Sequence, residues 1–205
     1  MRSKLDAVLE LAHLYDYDPL HSHQVECLAG TLFMELESLH KLSRDDRKLL
    51  EYAAILHDIG YYISAKGHQK HALQMIMMES LPEFTREEKT VIANIVRYHR
   101  KSLPEPEHTA YWLLSDTDRR RVDLLAPLLR IADALDRTHR KAVSELTCEV
   151  RDRTVLIHVV TEADLDVETA ALARKADWFR QVYLREPQLC ITRPQGRQAR
   201  IGAAV

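Results

Sequence analysis

The stretch LLEYAAILHDIGYYIS, residues 49–64, decides the fold class. Leu49, Leu50, Tyr52, Ala53, Ile55 and Leu56 recur at helical spacing and cover much of the helix surface. A helix apolar on so many sides belongs in the centre of a bundle. Ser43, with Asp46 three residues on, marks its N-terminus as a capping box, and Gly60 is expected to end it. His57 and Asp58 stand where the apolar run stops. With eleven histidines and fifteen aspartates in the chain, composition alone yields about one such pair, so the dipeptide by itself is weak evidence. Its setting carries the weight. An imidazole and a carboxylate closing a buried helix need a stabilising partner, and a divalent metal accepts both as ligands.

Outward from this helix the periodicity stays helical to about residue 141. Leu5, Val8, Leu9 and Leu11 predict a short first helix, and Val25, Leu28, Ala29, Leu32 and Phe33 a second over residues 21–40. A helix is expected from His68 to Glu79, with Met75, Met77 and Met78 as core filler. Thr85 and Glu88 form another capping box, opening a helix with Val91, Ile92, Ile95 and Val96. Residues 118–139 predict a last long helix, kinked or split at Pro127. Beyond Ala142, β-branched runs at residues 143–150 and 155–160 flank the turn-like Arg151-Asp152-Arg153. A helix with Leu172, Ala173, Ala176, Phe179 and Val182 follows, then a strand-like Leu189 to Thr192. The expected fold is therefore mainly α: a helical domain over residues 1–141 and a small α+β appendage over residues 142–205, its tail from Arg193 frayed.

Composition narrows the function classes. The 205-residue chain is 46% hydrophobic and 29% charged, as for a globular domain, and its net charge of −2 argues against a polycationic binder of nucleic-acid duplexes. No apolar run is long enough to cross a membrane, and the N-terminus has no signal-peptide core. Cys27, Cys148 and Cys190 form no C-x-x-C pair or disulfide framework, and are expected to be buried small hydrophobes in a cytoplasmic protein.

Two adjacent ligands cannot complete a metal site. His21 opens the second helix facing its apolar stripe, and Asp133 lies within the apolar LLRIADALD, residues 128–136. Singly, His21 reads as a residue near an N-cap and Asp133 as an acid paired with Arg130 or Arg137. Together, in this order along one bundle, they predict a metal centre of His21, His57, Asp58 and Asp133.

This order resembles the HD superfamily of metal-dependent phosphohydrolases. It is most similar to the C-terminal HD region of the exopolyphosphatase and guanosine pentaphosphate phosphohydrolase family. The resemblance rests on residues 49–64, Gly67 to His71, VRYHRK at residues 96–101, residues 129–137 and Ala173 to Phe179. It implies one or two divalent ions (Mn, Mg, Fe, Co, Ni or Zn), which the ligand types do not distinguish, and a homodimer, which no heptad or exposed apolar stripe demonstrates. In that family phosphatase activity is associated with an N-terminal actin-like domain that this sequence does not contain. Many HD hydrolases also carry Lys after His-Asp-x-Gly where this chain has Tyr61, so a phosphate-binding cation must come from elsewhere.

By comparison with two-metal HD enzymes, His71 and His99 are the first choices for a second site and His68 the third, with Asp58 bridging. Arg97, Arg100 and Lys101 around His99, Lys70 beside His71, and Arg130 and Arg137 around Asp133 are candidates to hold substrate phosphate. His99 or Asp136 could handle the proton. The expected activity is hydrolysis of a phosphoester or phosphoanhydride through a metal-activated water, on a nucleotide, polyphosphate or (p)ppGpp-like substrate. The alternative is a non-catalytic module that binds a phosphorylated ligand or regulates an exopolyphosphatase-type partner.

Overall fold

A computed structural model describes residues 2–100 and 102–194. Ten α-helices and three strands follow in order among them: α1 Lys4–Leu14, α2 Pro19–Glu35, α3 Glu37–His40, α4 Arg44–Leu56, α5 His68–Met78, α6 Arg86–Arg97, α7 Thr109–Trp112, α8 Asp116–Leu135, β1 Glu145–Val150, β2 Thr154–Val160, α9 Asp166–Lys175, α10 Asp177–Tyr183 and β3 Glu186–Thr192. The expected mainly α fold with a small C-terminal α+β part is the one observed. No helix among the described residues is long and apolar enough to cross a membrane.

Local sequence sets the helix starts. Ser43 and Thr85 each accept a hydrogen bond from the backbone N–H three residues on, while Asp46 and Glu88 reach back to the cap N–H. Both capping boxes stand as expected, and Ser3 with Asp6 adds a third at α1. Leu50, Ala53, Ala54, Ile55 and Leu56 are fully buried where α4 packs against α1, α2, α6 and α8. Each buried Leu or Ile there contributes about 1.5–3 kcal/mol relative to exposure.

Several boundaries differ from expectation. The second helix breaks at Leu36, whose side chain turns into the core, and His40 donates back to the Phe33 carbonyl. Helix α4 ends at Leu56, not at Gly60, which lies in a 3-10 turn over Ile59–Tyr62. Helix α8 runs unbroken through Pro127; the proline removes one intrahelical donor, and the Tyr183 hydroxyl donates to the neighbouring Leu124 carbonyl. It stops at Leu135, so His139 lies beyond it, at φ 56°. Of the three methionines only Met75 is buried; Met78, the last residue of α5, is 85% exposed. The cysteines are free but not buried: Cys27 is exposed, and Cys148 and Cys190 are half-buried on the outer strands of the sheet. The tail from residue 195 lies outside the described residues.

In the sheet, β2 is central, antiparallel to β1 (Glu145↔Val160 to Val150↔Val155) and parallel to β3 (Thr154↔Glu186 to Val160↔Thr192). The parallel pair requires a crossover, which α9 and α10 supply as one helical stretch divided at Ala176. Helix α9 packs on α8, and Leu172, Trp178 and Phe179 join the core cluster that contains the bundle residues. This docking brings the C-terminal part to the ligand-bearing helix.

Candidate functional site

The geometry starts at the end of α4. His57 is its C-cap residue, fully buried, and its Nδ1–H donates to the Ala54 carbonyl at 2.7 Å. A carbonyl only accepts, so the proton sits on Nδ1 and the Nε2 lone pair points away from the helix. Three more imidazoles are held the same way. His99 donates Nδ1–H to the Val96 carbonyl at 2.7 Å, and His68 to the Ala65 carbonyl at 3.2 Å. His21, on the first turn of α2 capped by Asp18, places Nδ1 2.9 Å from Asp136 Oδ2. His139 stacks on His21 with ring centroids 3.6 Å apart, and its Nδ1 is 3.0 Å from Asp18 Oδ2.

All four Nε2 atoms therefore converge on Asp58 as acceptors. Asp58 Oδ2 is 3.4 Å from His57 Nε2 and 3.9 Å from His21 Nε2, while Asp58 Oδ1 is 3.1 Å from His68 Nε2 and 3.6 Å from His99 Nε2. Asp133 Oδ1 lies 3.7 Å from His21 Nε2. His68 Nε2 and His99 Nε2 face one another at 3.1 Å, and the buried Nε2 atoms of His21 and His57 have no hydrogen-bond partner among the described residues. Apart from Lys175 at Asp133, this cluster of lone pairs and carboxylates has no donor among the described residues, and a cation would satisfy it. Three groups are within reach of one: two ligand sets that share no residue, His21, His57 and Asp133, and Asp58, His68 and His99, and a third group, His21, Asp58 and exposed His139, that reuses their members, each with its ligand atoms within 4.8 Å of one another. The donor chemistry fits a divalent ion, with every imidazole held from behind by a hydrogen bond.

Burial opposes charge on Asp58, but positive charge on the surrounding imidazoles outweighs it and holds the carboxyl well below its ordinary range, as a cation bound to their lone pairs would. For Asp133 burial is again opposed, here mainly by Lys175, and the carboxyl is also held low. Burial and the neighbouring His57 push His99 well below the ordinary imidazole value, so it stays neutral.

These groups open onto a cleft of about 200 Å³. Its cations are Arg100, Arg137, Arg174 and Lys175, against the two carboxylates of Asp58 and Asp133. The balance favours an anion beside the candidate metal ligands. Tyr61 stacks on His68 at 4.0 Å and forms part of the rim.

The structure brings together His21, His57, Asp58, His68, His99 and Asp133, and it lines the cleft with Arg100 and Arg137. In the second set the structure places His99 and His68, the third choice, at Asp58, while His71, half-buried one turn further along α5, belongs to neither ligand set. Asp136 does not line the cleft. It is fully buried, with one oxygen at His21 and the other accepting from the Lys141 N–H at 2.7 Å. Arg130 is buried within the bundle and donates to Asp177 at 2.6 Å. Lys70 and Arg97 line a different cavity. Lys101 lies outside the described residues.

Sequence reasoning missed Arg174, Lys175 and His139. Lys175 reaches from α9 to form an ion pair with Asp133 Oδ2. Its only signal was its place within the Ala173 to Phe179 segment.

Residues 4–184 match the model of the family described as Ppx/GppA phosphatase, domain III. The chain belongs to this family. Among curated proteins it is similar to a guanosine-5'-triphosphate,3'-diphosphate pyrophosphatase of Vibrio parahaemolyticus, 31% identical over 76% of this chain and 32% of the relative. A protein of the same name from Aeromonas hydrophila is 29% identical over 87% of this chain and 33% of the relative. The chain thus spans about a third of the length of these relatives. The matched region takes in both ligand sets and all four cleft cations.

Proposed function

We propose that this domain III chain is an HD-type, metal-dependent phosphohydrolase acting on a phosphoester or phosphoanhydride, with a (p)ppGpp-like nucleotide or polyphosphate as the substrate class. The observation that carries the reading is Asp58, one carboxylate oxygen turned to His21 and His57 and the other to His68 and His99. His21, His57, Asp58 and Asp133 would hold a first ion, and Asp58, His68 and His99 a second. A bound divalent ion supplies a nucleophile at neutral pH and offsets charge developing on the phosphoryl oxygens.

The chain's own residues supply the rest. Arg100, Arg137 and Arg174 bind non-bridging phosphate oxygens at the cleft. A cleft of about 200 Å³ is smaller than the pockets that enclose whole organic ligands, so it takes the phosphate end of a substrate and leaves the remainder outside. With only the first ion bound, the Nε2 of neutral His99 is free to accept a proton there. Lys175 holds Asp133 ionised and carries a donor to the same space. We take the division at residues 141 and 142 as topological only, because α9 completes the site, and a cytoplasmic setting as the one that suits three unpaired cysteines.

The test is a panel of phosphomonoesters, phosphodiesters, (p)ppGpp and polyphosphate assayed with Mn, Mg, Co and Ni. Metal-dependent turnover lost at least a hundredfold in Asp58→Ala is expected. Turnover that survives the substitution, or purified protein that takes up no divalent ion, overturns the reading. A second reading is a module that binds a phosphorylated ligand at the cleft cations without turnover. Metal-dependent ligand binding with no hydrolysis across the panel would favour it.

A further inference from the structure

A second cavity, of about 260 Å³, lies between α5, α6 and α7 and shares no lining residue with the Asp58 cleft. Arg97 lines it. The residue is only 6% exposed, yet it has no carboxylate within salt-bridge distance among the described residues, and its Nη1 has no hydrogen-bond partner. A buried guanidinium without an acceptor is costly.

Its one polar contact does not satisfy it either. Arg97 Nη2 lies 3.2 Å from His108 Nε2. On the other side of the ring, His108 Nδ1 is 3.1 Å from the Glu105 N–H and 3.0 Å from the Tyr98 hydroxyl. A neutral imidazole has one acceptor nitrogen, whereas a backbone N–H and a guanidinium N–H can only donate. Two obligate donors therefore face opposite nitrogens of one ring, and whichever tautomer forms, one of them meets an N–H. Two partners at Nδ1 favour the proton on Nε2. Arg97 Nη1, Arg97 Nη2 and His108 Nε2 are then three donors beside one another without an acceptor. Glu105, the nearest acid, is mostly exposed, and its carboxylate is 3.9 Å from His108 Nε2, too far to fill the place.

We infer that this cavity is an oxyanion site for a phosphate group, held by Arg97 and His108 with Lys70 at its rim. One tetrahedral anion supplies acceptors to Arg97 Nη2 and His108 Nε2 and a counter-charge to the guanidinium, whose Nη1 is sealed behind it. Tyr98 and Tyr111 form its buried wall. The inference does not depend on metal or chemistry at Asp58. The phosphate could be a free ion or one unit of a longer chain.

The test is calorimetric titration of the intact chain, in EDTA, with inorganic phosphate and separately with tripolyphosphate. Binding at least tenfold weaker in Arg97→Gln and in Lys70→Ala, but retained in Arg174→Ala, is expected. Comparable affinity for both probes assigns the site to a single phosphate, and a tenfold preference for tripolyphosphate assigns it to a chain; either supports it. Side-chain ¹⁵N spectra of the wild type should place the His108 proton on Nε2 when phosphate is added, a readout that survives if Arg97→Gln fails to fold. Phosphate binding unchanged in Lys70→Ala, or abolished by Arg174→Ala instead, overturns the proposal.

Discussion

Gly60 lies so close to the first turn of α5 that a Cβ on it would stand 2.0 Å from the His68 carbonyl oxygen and 2.7 Å from the Ala72 nitrogen. Both neighbours are backbone, so no rotamer change can relieve the contact. The approach sets His68 against Asp58, two residues before Gly60, and Gly67 at φ 78° lets the chain enter α5 at that point.

Gly60→Ala should therefore cost more than an ordinary turn substitution, about 1–3 kcal/mol as backbone overpacking. It should also separate the second ligand set, so that the variant takes up fewer divalent ions per chain than the wild type. Denaturant unfolding with metal analysis after equilibration checks both. Wild-type stability and wild-type metal content together would show that the close approach does not hold His68.

Asp136 and His21 give a second prediction. The Asp136 carboxylate accepts from His21 Nδ1–H and so leaves Nε2 as the free acceptor. Asp136→Asn keeps the shape but weakens that acceptor and can offer an N–H in its place. Metal affinity should fall by about 10–100-fold, the usual effect of losing a group that orients a ligand. Competition against a chelator of known strength measures it, and an unchanged affinity in folded protein would remove Asp136 from the site.

How much of this was legible in the chain follows from which interactions are local. The caps at Ser43 and Thr85 are three-residue patterns and appear as written. His21, His57, Asp58 and Asp133 stand out because polar side chains on apolar helix faces are conspicuous. The choice between His68 and His71 is not local, since it depends on the approach of Gly60 to α5. Lys175 and Arg174 reach the cleft only because α9 docks on α8 after the crossover to β3. Arg130, Arg97 and Lys70 resemble phosphate ligands by position in sequence, but helix rotation turns them to Asp177 or to the other cavity. Met78 and the cysteines were misplaced for the same reason: residue type gives a tendency to burial, and packing decides it.

The ion pair of Lys175 with Asp133 carries a third prediction. In the absence of a divalent ion, Lys175 is the nearest cation to a buried carboxylate. Lys175→Met leaves that charge unpaired, and removing one member of a buried pair costs about 3 kcal/mol. The metal-free protein should lose that stability, while added metal should restore much of it because it now binds without competing with the ammonium. Unfolding curves in EDTA and in excess Mn measure the difference. An equal loss in both media would mean that Lys175 only packs.

His40 predicts a pH effect away from the site. It is buried, its Nε2–H donates to the Phe33 carbonyl at 2.8 Å, and its Nδ1 accepts from the Leu42 N–H at 2.9 Å, so both nitrogens are satisfied only in the neutral ring. Burial, the largest influence, holds its pKa below the ordinary value near 6.5. The unfolded chain therefore binds this proton before the folded one does. Stability is greatest above about pH 6.5 and falls as the pH drops below it, with a slope that approaches 1.4 kcal/mol per pH unit until the folded ring also titrates. His40→Gln removes the titrating group at α3. It should lower stability at pH 8, where the neutral ring is at its best, and flatten the decline between pH 6.5 and pH 5 relative to the wild type. Urea unfolding of both proteins at half-unit pH intervals separates the two effects, because the other buried histidines contribute equally to each curve. Parallel curves would show that His40 is protonated as easily in the fold as in the open chain.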